Sequence, residues 1–526
     1  MADRPTRRSR RASTLAVLAA TAGAGMLATL ALSAPAAAAP AGCTTRDNNL
    51  YSELLECVTL DGVRQHQQAF QTIADANDDP FYPGTRAAGT EGYQDSVDYV
   101  AGLLEDAGYN VTLDEFEFSF TFPSVLEQLT PVAADYETGS FTNSGFGDVT
   151  GGVIPVDINL VPPRASTSGC EASDFAGLNF SGPNDIALIQ RGTCAFADKA
   201  LNAQAAGAEA VVIFNQGNSP DREPLIVGTL APAVLGIPVV GASFADGAAL
   251  AQLGSTAHVL VVEPEVRTDV NVIAELPGRR TDNVVMAGAH LDSVQAGPGI
   301  NDNGSGSAAI LETALMMANH KPENTVRFAW WGAEEEGLIG STAYVNGLSE
   351  AERDRIAMYL NYDMVGSPNY IFMVYDANES TFPAPVAVPP GSTAIELVYE
   401  LYYTLVDEPY DDAEFSGRSD YQAFIEAGIP SGGLFTGAEE VKTEEQQAIW
   451  GGTAGDQFDP CYHLACDTFA NVSLHALDVN SDLIAFAQLT FAYSTETVNG
   501  VRGRRVPGAR THLPSTPNGP EGTFLP

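Results

Sequence analysis

Three apolar stretches in the second half of the chain constrain its fold most strongly. DVNVIAELPG, NVVMAGAHLDS and TVRFAWWGAEEE each have the length and composition of a buried strand, and each ends in polar or charged residues. Helical sequence follows the strands, as in GSGSAAILETALMMANH. Strands that alternate with helices predict an α/β fold with a mixed, mainly parallel central sheet and helices on both faces. Such sheets bind ligands beyond the carboxyl ends of their strands.

A change in composition divides the chain into parts. Between residues 123 and 265, short β-rich runs such as DIALIQRG and AVVIFNQG are separated by Gly, Pro, Asn and Ser, which predicts an inserted β-rich domain. The flanking segments, 40–122 and 266–498, then form the main α/β domain. Residues 499–526 are rich in Pro, Gly and Arg, and we expect them to form a disordered tail.

The N-terminus has the pattern of an export leader. Arginines precede an apolar stretch from Leu15 to about Ala34, and small residues follow it. We therefore expect residues 1–39 to be a signal peptide, and the mature protein to be secreted and extracellular without stable membrane association. The apolar stretch is also long enough for a retained anchor, but its alanine-rich end favours cleavage.

Charge and cysteine content agree with an extracellular protein. The chain has 67 Asp and Glu against 25 Lys and Arg, a formal net charge of -42, which argues against nucleic acid as a partner. Proximity suggests three local disulfides, although six cysteines allow 15 connectivities. A structural zinc cluster is the competing interpretation, but the cysteines lack the paired spacing of a zinc finger. The suggested pairs are Cys43 with Cys57, Cys170 with Cys194, and Cys461 with Cys466.

Polar residues that suit a metal ion follow the predicted strands. Imidazoles and carboxylates that converge on one edge of a sheet suit zinc or a similar cation. Each residue alone has a simpler explanation, because an Asp before Gly or Asn commonly forms a turn and a run of Glu commonly starts a helix. Only the whole set indicates a metal site. Its members are His290, Asp292, Asp302, Glu334, Glu335, Asp363 and His463.

Several longer motifs occur in a fixed order along the same segments. They include RAAGTEGYQDSVDYVAGLLEDAGY, AHLDSV, GINDNGSGSAAILETAL, WWGAEEEGLIGS, NYDMVGSP, SGRSDY and GGTAGDQFDPCYHLACDT. Together they resemble the secreted bacterial di-zinc aminopeptidases, leucyl-type enzymes of the co-catalytic zinc metallopeptidase family. The resemblance covers nearly all of residues 60–120 and 266–495. The inserted segment resembles a protease-associated domain, through IALIQRGTCAF and KALNAQAAGAEAVVIFNQ.

The resemblance implies a role for each residue of the metal set. It assigns His290 and Asp363 to one zinc ion, Glu335 and His463 to a second, and Asp302 to both as a bridge. Asp292 is similar to the carboxylate that orients the first histidine in the family. By the same comparison, two zinc ions activate a water molecule for attack on the peptide carbonyl.

The resemblance also assigns catalytic and pocket residues. Glu334 matches the general base of the family, and Tyr462 and Arg418 match residues that stabilise the tetrahedral intermediate. The pocket for the first side chain of the substrate would be formed by Met364, Gly417 and Phe435. A disulfide between Cys461 and Cys466 is implied as well. We expect Glu336, the third glutamate of the run, to face solvent.

The implied function is a secreted zinc-dependent aminopeptidase that prefers bulky apolar first residues such as Leu. We expect peptide or protein N-termini as substrates and a monomeric enzyme. Calcium is not favoured: Asp478 and Asp482 match calcium ligands of the family, but Cys57 lies where the family has an aspartate.

Three other functions are compatible with the same fold. A di-zinc carboxypeptidase or dipeptidase could use the same ligands, but it would need cationic residues to hold a terminal carboxylate, and Arg418 is the only arginine in the set. A single-zinc glutaminyl cyclase is disfavoured because both metal half-sites are complete. A catalytically inactive binding protein would lack a ligand or the base, and none is missing.

Overall fold

The structure is a computed structural model that describes residues 40–509. The predicted signal peptide, residues 1–39, lies outside the described residues. The strands are β1 (Asn110–Phe120), β2 (Val125–Thr130), β3 (Ala134–Asp135), β4 (Gly147–Val156), β5 (Ile186–Gln190), β6 (Ala210–Phe214), β7 (Val239–Ala242), β8 (Thr256–Val261), β9 (Glu265–Leu276), β10 (Arg280–His290), β11 (Asn324–Trp331), β12 (Ile356–Tyr362), β13 (Met373–Tyr375), β14 (Asp411–Ala413) and β15 (Ser431–Phe435).

The described helices lie before, between and after these strands. They are α1 (Tyr51–Cys57), α2 (Leu60–Ala76), α3 (Glu91–Ala107), α4 (Phe196–Ala206), α5 (Phe244–Leu250), α6 (Gly304–Met317), α7 (Ile339–Gly347), α8 (Glu350–Arg353), α9 (Ser392–Val406), α10 (Tyr421–Glu426), α11 (Glu444–Trp450), α12 (Leu474–Tyr493) and α13 (Glu496–Asn499). Helix α3 ends at Gly108, which adopts a left-handed conformation with φ 93° at its C-cap. Within residues 40–509, no helix is both long enough and apolar enough to cross a membrane.

An eight-stranded sheet forms the centre of the α/β unit, in the order β1-β9-β11-β10-β12-β15-β13-β14. Its four middle strands, β11, β10, β12 and β15, are parallel, and antiparallel pairs lie toward the edges. The fold class predicted from the sequence is therefore confirmed. The carboxyl ends of the middle strands meet at one edge, where ligands of such sheets bind.

Both faces of the middle strands are buried. On β10, Val285 and Ala287 belong to the core shared with α2, α3, α6, α9 and α12, whereas Met286 belongs to the core shared with α7 and α10. This alternation follows from the two-residue period of a strand. Burial on both faces explains why the three strand sequences are continuously apolar.

A second, seven-stranded sheet is inserted between β1 and β9, with the order β3-β2-β8-β4-β5-β6-β7. Its two hydrophobic cores are built from residues between Leu126 and Val261. Strands β1 and β9 pair antiparallel, with Phe120 opposite Glu265. The second sheet therefore occupies the position of the turn in a long hairpin.

The three disulfides join neighbouring cysteines, as proximity suggested. Bonds link Cys43 to Cys57, Cys170 to Cys194 and Cys461 to Cys466. Because Cys57 is bonded to Cys43, it is not available as a metal ligand.

The predicted disordered tail is described as far as residue 509, and this first part contacts the α/β unit. Val506 is only 5% exposed, and Arg504 forms an ion pair with Glu323 at 3.0 Å. Val501 also bridges to Thr495. Because of these contacts, the disorder expected from Asn499 onward is not found within the described residues. Composition indicates that a segment is solvated, but it does not reveal single anchoring contacts of this kind. The remainder of the tail lies outside the described residues.

Candidate metal centre and active site

The predicted site residues lie at the carboxyl ends of the middle strands and in two adjoining loops. His290 is the last residue of β10, and Asp363 directly follows β12. Glu334 and Glu335 follow β11, and Asp302 precedes α6. Because β11, β10 and β12 are parallel neighbours, their ends deliver these side chains to one place.

The five predicted metal ligands form two groups that share one carboxylate. One oxygen of Asp302 lies 3.2 Å from His290 Nε2, and the other lies 3.4 Å from His463 Nε2. His290 Nε2 also lies 3.3 Å from Asp363 Oδ1, and His463 Nε2 lies 3.0 Å from Glu335 Oε2. Each group offers one imidazole nitrogen and carboxylate oxygens close enough together to hold one metal ion.

The electrostatics of the centre favour a bound cation. Glu335 Oε1 and Asp363 Oδ1 are buried without a hydrogen-bond partner. Burial, followed by the negative charge of Asp302, raises the pKa of Glu335 to about 8. Burial alone would lower the pKa of His463, but its hydrogen bonds to Asp302 and Glu335 raise it to about 10. A cation placed among these groups would satisfy the unpartnered oxygens and offset the cost of burying the carboxylates.

Asp292 connects the first histidine to the glutamate run. Its Oδ1 accepts the backbone N–H of Glu334 at 3.2 Å, and its Oδ2 accepts the N–H of Glu335 at 3.3 Å. His290 Nδ1 lies 3.1 Å from the carbonyl oxygen of Asp292 and 3.6 Å from Oδ1. Asp292 can therefore orient His290 and at the same time fix the backbone that carries both glutamates.

Glu334 lies against the centre and also faces the adjoining cavity. Its Oε2 is 4.0 Å from His290 Nε2, and it shares a possible ligand group with His290 and Glu335. Burial raises the pKa of Glu334 well above its usual range, with the Glu335 carboxylate acting in the same direction. A carboxylate with a raised pKa that lines a cavity is a stronger proton acceptor than a solvated one, which suits a general base.

Tyr462 and Arg418 form a connected pair beside the second group. The ring of Tyr462 stacks on that of His463 with centroids 3.8 Å apart. Arg418 Nη2 donates to the Tyr462 hydroxyl at 3.1 Å, and Nη1 donates to Glu439 at 2.8 Å. The guanidinium charge of Arg418 is therefore already paired with a carboxylate.

A cavity of about 370 Å³ opens beside the metal centre. Met364 and Phe435, which the family resemblance assigns to the substrate pocket, line this cavity. Gly417 does not, although its neighbours Ser416 and Arg418 do, because a glycine has no side chain to project into the cavity. The apolar lining is completed by Met373, Tyr375, Phe382, Ala413, Ala438 and Phe458.

Three residues that the sequence reasoning did not select hold the centre in place. Asp467 accepts the N–H groups of Asn301 and Asp302, both at 2.9 Å. Ser419 donates to Asp363 Oδ2 at 2.6 Å. Arg86 is fully buried and donates to backbone carbonyls of the 291–299 segment, including that of Pro298 at 2.9 Å. Asp467 lies in the motif CYHLACDT and Ser419 in the motif SGRSDY, so these two motifs could have identified both residues from the sequence.

Two further expectations can be compared with the structure. Glu336 does not face solvent: it is half-buried, and its carboxylate accepts a hydrogen bond from Gln295 at 2.7 Å. Asp478 and Asp482 lie one turn apart on α12, as predicted. They belong to none of the groups of three or more possible metal ligands found within residues 40–509.

Two protein-family models match the chain. The model of peptidase family M28 matches residues 271–488, which contain all five predicted ligands. The PA domain model matches residues 156–250, within the second sheet and its connections.

Relatives and a solved structure extend the comparison over most of the chain. An aminopeptidase of Pseudomonas aeruginosa is 47% identical over 457 residues, which cover 85% of this chain and 83% of the relative. A probable leucine aminopeptidase 2 of Aspergillus fumigatus is 40% identical, covering 78% and 80% of the two chains. The structure of a zinc aminopeptidase from Bacillus subtilis matches with a TM-score of 0.56 and 25% identity, over 82% of this chain and 94% of that one.

Proposed function

The chain belongs to peptidase family M28 and is a metallo-aminopeptidase with an inserted PA domain, and we propose a metal content, a mechanism and a substrate preference for its site. We expect two zinc ions, one with His290 and Asp363 and one with Glu335 and His463, and Asp302 between them. The preferred substrates are peptides with a bulky apolar first residue such as Leu. The mature enzyme acts outside the cell.

One observation carries the proposal, namely that Asp302 presents one oxygen to each histidine. The distances of 3.2 and 3.4 Å to the two Nε2 atoms fit a carboxylate that bridges two metal ions. Nitrogen and oxygen donors from His, Asp and Glu are the ligands of catalytic zinc. The unpartnered oxygens of Glu335 and Asp363 support the same assignment.

The chemistry divides between the metal and the protein. When bound, zinc polarises the scissile carbonyl and lowers the pKa of a coordinated water to about 7. Glu334 then accepts a proton from the attacking water and delivers it to the departing amine. Tyr462 donates its hydroxyl hydrogen to the substrate oxygen, since Arg418 already donates to the phenol oxygen from the other side.

The charge of the site favours the amino end of a peptide over the carboxyl end. Carboxylates that are not predicted metal ligands also line the cavity, namely Glu334, Glu414 and Glu440, and a free ammonium group is stabilised among them. A terminal carboxylate would need an unpaired cation, whereas Arg418 is held by Glu439 at 2.8 Å. We therefore favour an aminopeptidase over a carboxypeptidase.

The cavity explains the expected preference for the first residue. Its volume of about 370 Å³ and its lining by methionine and aromatic side chains suit a leucine-sized apolar group. The leucine aminopeptidase named among the relatives is consistent with this preference. The three disulfides are compatible with an oxidising compartment.

The test combines metal analysis with turnover of leucine p-nitroanilide. We expect about two zinc ions per chain, and activity that is lost to 1,10-phenanthroline and restored by zinc. Glu334→Gln should keep its zinc and lose about 10²- to 10⁴-fold in kcat, because the proton acceptor is gone. Glu336→Gln is the matched control, since it changes the same chemical group two positions away and should remain active.

Two results would contradict the proposal. Full activity of Glu334→Gln would remove Glu334 from proton transfer. Cleavage of N-acetyl-leucine p-nitroanilide at a rate close to that of the free amine would show that a free N-terminus is not required, which would exclude an aminopeptidase.

A further inference from the structure

A second group of acidic residues lies behind the substrate cavity. Glu396 and Glu400 are one turn apart on α9, and Asp412 lies on β14. One carboxylate oxygen from each residue can be chosen so that all three lie within 4.8 Å of one another. We refer to these three residues as the acidic cluster.

Glu396 provides an independent indication of a cation site. Its side chain is 1% exposed, and its Oε2 has no hydrogen-bond partner. Its Oε1 accepts a hydrogen bond from the Asn378 amide. Among the ion pairs found within residues 40–509, none joins the acidic cluster to a lysine, arginine or histidine. The buried Glu396 carboxylate thus has one oxygen without a partner and two other carboxylates close by, and no ion pair among the described residues compensates their charge.

The surroundings add further negative charge. Burial raises the pKa of Glu396 to about 8, and Glu400, Asp376 and Asp412 each act in the same direction. A proton on Glu396 could relieve part of this repulsion, but it would leave the other acids uncompensated. A divalent cation would compensate all of them at once.

The donor atoms identify the class of cation. Every candidate ligand is a carboxylate oxygen, with no imidazole or thiolate in the acidic cluster. Hard cations prefer such ligands, and calcium accepts irregular sets of them at 2.3–2.6 Å, which places two ligand oxygens at most about 5 Å apart. Magnesium requires shorter distances and a nearly ideal octahedron.

We propose that Glu396, Glu400 and Asp412 bind a calcium ion that joins α9 to β14 behind the wall of the substrate cavity. This site is separate from the zinc ligands at the strand ends. It is also separate from Asp478 and Asp482 on α12, the pair that family resemblance suggested for calcium.

The acidic cluster is connected to the cavity by a short loop. Asp376 accepts the N–H groups of Ser380, Thr381 and Phe382 at 2.7–2.9 Å. Asp412 accepts hydrogen bonds from the hydroxyls of Ser380 and Thr381. Phe382, Asp412 and Ala413 line the cavity. A calcium ion at the cluster would therefore restrain the wall that contacts the first side chain of the substrate, and should lower KM more than it changes kcat.

The test is a calcium titration of the zinc-loaded, full-length mature enzyme in buffer cleared of calcium by a chelating resin. Isothermal calorimetry should detect binding, and 5 mM CaCl2 should raise Tm by about 2–4 °C, whereas 5 mM MgCl2 should raise it less. Glu396→Gln and Glu400→Gln should each abolish the calcium-dependent shift. Zinc content, measured before and after, should not change.

Asp482→Asn provides the matched control, because it removes one acid of the other pair with the same helical spacing. This variant should keep the full calcium-dependent shift. The proposal is overturned if the wild type shows no calorimetric signal and no Tm shift up to 10 mM CaCl2, if magnesium acts equally, or if the shift survives Glu396→Gln and disappears in Asp482→Asn. If Glu396→Gln does not fold, the calcium-dependent Tm shift of Glu400→Gln is judged by the same criteria. Binding and Tm are read without peptide turnover, so either outcome leaves the aminopeptidase proposal to be judged separately.

Discussion

At the scale of single residues, buried acids in this protein differ in what balances their charge. Asp302 lies between two histidines, and electrostatic attraction to them holds its pKa below the usual range against the effect of burial. Glu439, an only partly buried acid near the cavity, accepts a hydrogen bond from Arg418. Glu396 has only an amide donor and an unpartnered oxygen. A buried acid without a cation must retain a proton or destabilise the fold, so Glu396 should make stability depend on pH.

The dependence has a definite sign. The folded-state pKa of Glu396 is about 8, above its ordinary value of 4.5. Between these values the unfolded chain loses the proton while the folded protein keeps it, so the free energy of unfolding falls as pH rises and levels off above about pH 8. Glu396→Gln removes this slope. In calcium-free buffer, the free energy of unfolding of the variant should therefore rise relative to that of the wild type by on the order of 2–3 kcal/mol between pH 5.5 and 8.5.

The measurement is urea unfolding of both proteins across that pH range. Glu445→Gln, a change at an exposed glutamate of α11, should follow the wild type throughout. Adding CaCl2 should remove most of the difference by stabilising only the wild type. A constant difference between wild type and Glu396→Gln at every pH would contradict the assignment of a shifted pKa to this residue.

Single residues also show how far the sequence predicts the site. The five ligands could be selected because each follows an apolar strand or belongs to a motif of a known family, and the structure brings all five together. Asp467, Ser419 and Arg86 were missed because supporting residues act through hydrogen bonds to segments that are distant in the sequence. Such a bond leaves no periodicity in the sequence. Glu336 was placed wrongly in solvent for the same reason, since its partner Gln295 lies 41 positions away.

At the scale of elements, the short loop closed by Cys461 and Cys466 carries two predicted functional side chains, one of them in an uncommon backbone conformation. It carries both Tyr462 and His463, and His463 has φ 57°, a left-handed conformation that a histidine rarely adopts. The covalent bond restricts the loop to few conformations, so it can hold the ligand and the hydroxyl in fixed positions. Removal of the disulfide should therefore weaken metal binding more than it lowers the stability of the fold.

Replacing each of two disulfides by paired serines tests this difference. The double variant Cys461→Ser with Cys466→Ser should lose about 10- to 100-fold in zinc affinity, because His463 is no longer held in position. This variant should lose about 2 kcal/mol of folding stability, less than the control variant described next, because the loop closed by the disulfide is short. Zinc titration and urea unfolding provide the two measurements.

The control is the pair Cys170→Ser with Cys194→Ser in the second sheet. These residues are 24 positions apart, so the chain-entropy model gives a larger loss of about 3–4 kcal/mol. Zinc affinity and turnover should be unchanged, since neither cysteine lies in the α/β unit. If both pairs affected zinc affinity equally, the positioning role of the 461–466 bond would be refuted.

The elements also differ in how well the sequence predicts them. Strands β9, β10 and β11 were evident from the sequence because their buried stretches are continuously apolar. Strands β13 and β14, at one end of the sheet and with three residues each, have no such signal. Their antiparallel and parallel pairing depends on distant parts of the chain, and it builds one wall of the cavity.

At the scale of the whole molecule, the second sheet interrupts a hairpin of the first without contributing to its core. Its two hydrophobic cores contain only residues of the insertion, and the cores of the α/β unit contain none of residues 123–264, although the partly buried Phe122 packs against one of them. Phe120 and Glu265 are opposed in the antiparallel pair. A two-residue turn could therefore replace the insertion and keep the register.

Deleting residues 121–264 and joining Phe120 to Glu265 by Asn-Gly tests whether the insertion is independent. The variant should fold, bind zinc as the full chain does, and hydrolyse leucine p-nitroanilide within about threefold of the full-length rate, because each unit has its own core. Zinc analysis, circular dichroism and turnover of the two proteins in parallel provide the comparison. Turnover of long peptides relative to leucine p-nitroanilide would then show whether the insertion selects substrates by size. A variant that is unfolded or free of zinc would instead make the insertion part of the catalytic fold.

The interrupted hairpin also affects the order in which the polypeptide can assemble during synthesis. Closing β1 onto β9 across about 140 unstructured residues carries a larger entropic cost than closing it across a compact unit whose two ends already lie side by side. Helices α1 to α3 are made first and have no sheet to cover, whereas the inserted unit is made next with all the strands it needs. We therefore expect the inserted domain to fold first. The central sheet of the α/β unit can be completed only after β15 has been synthesised.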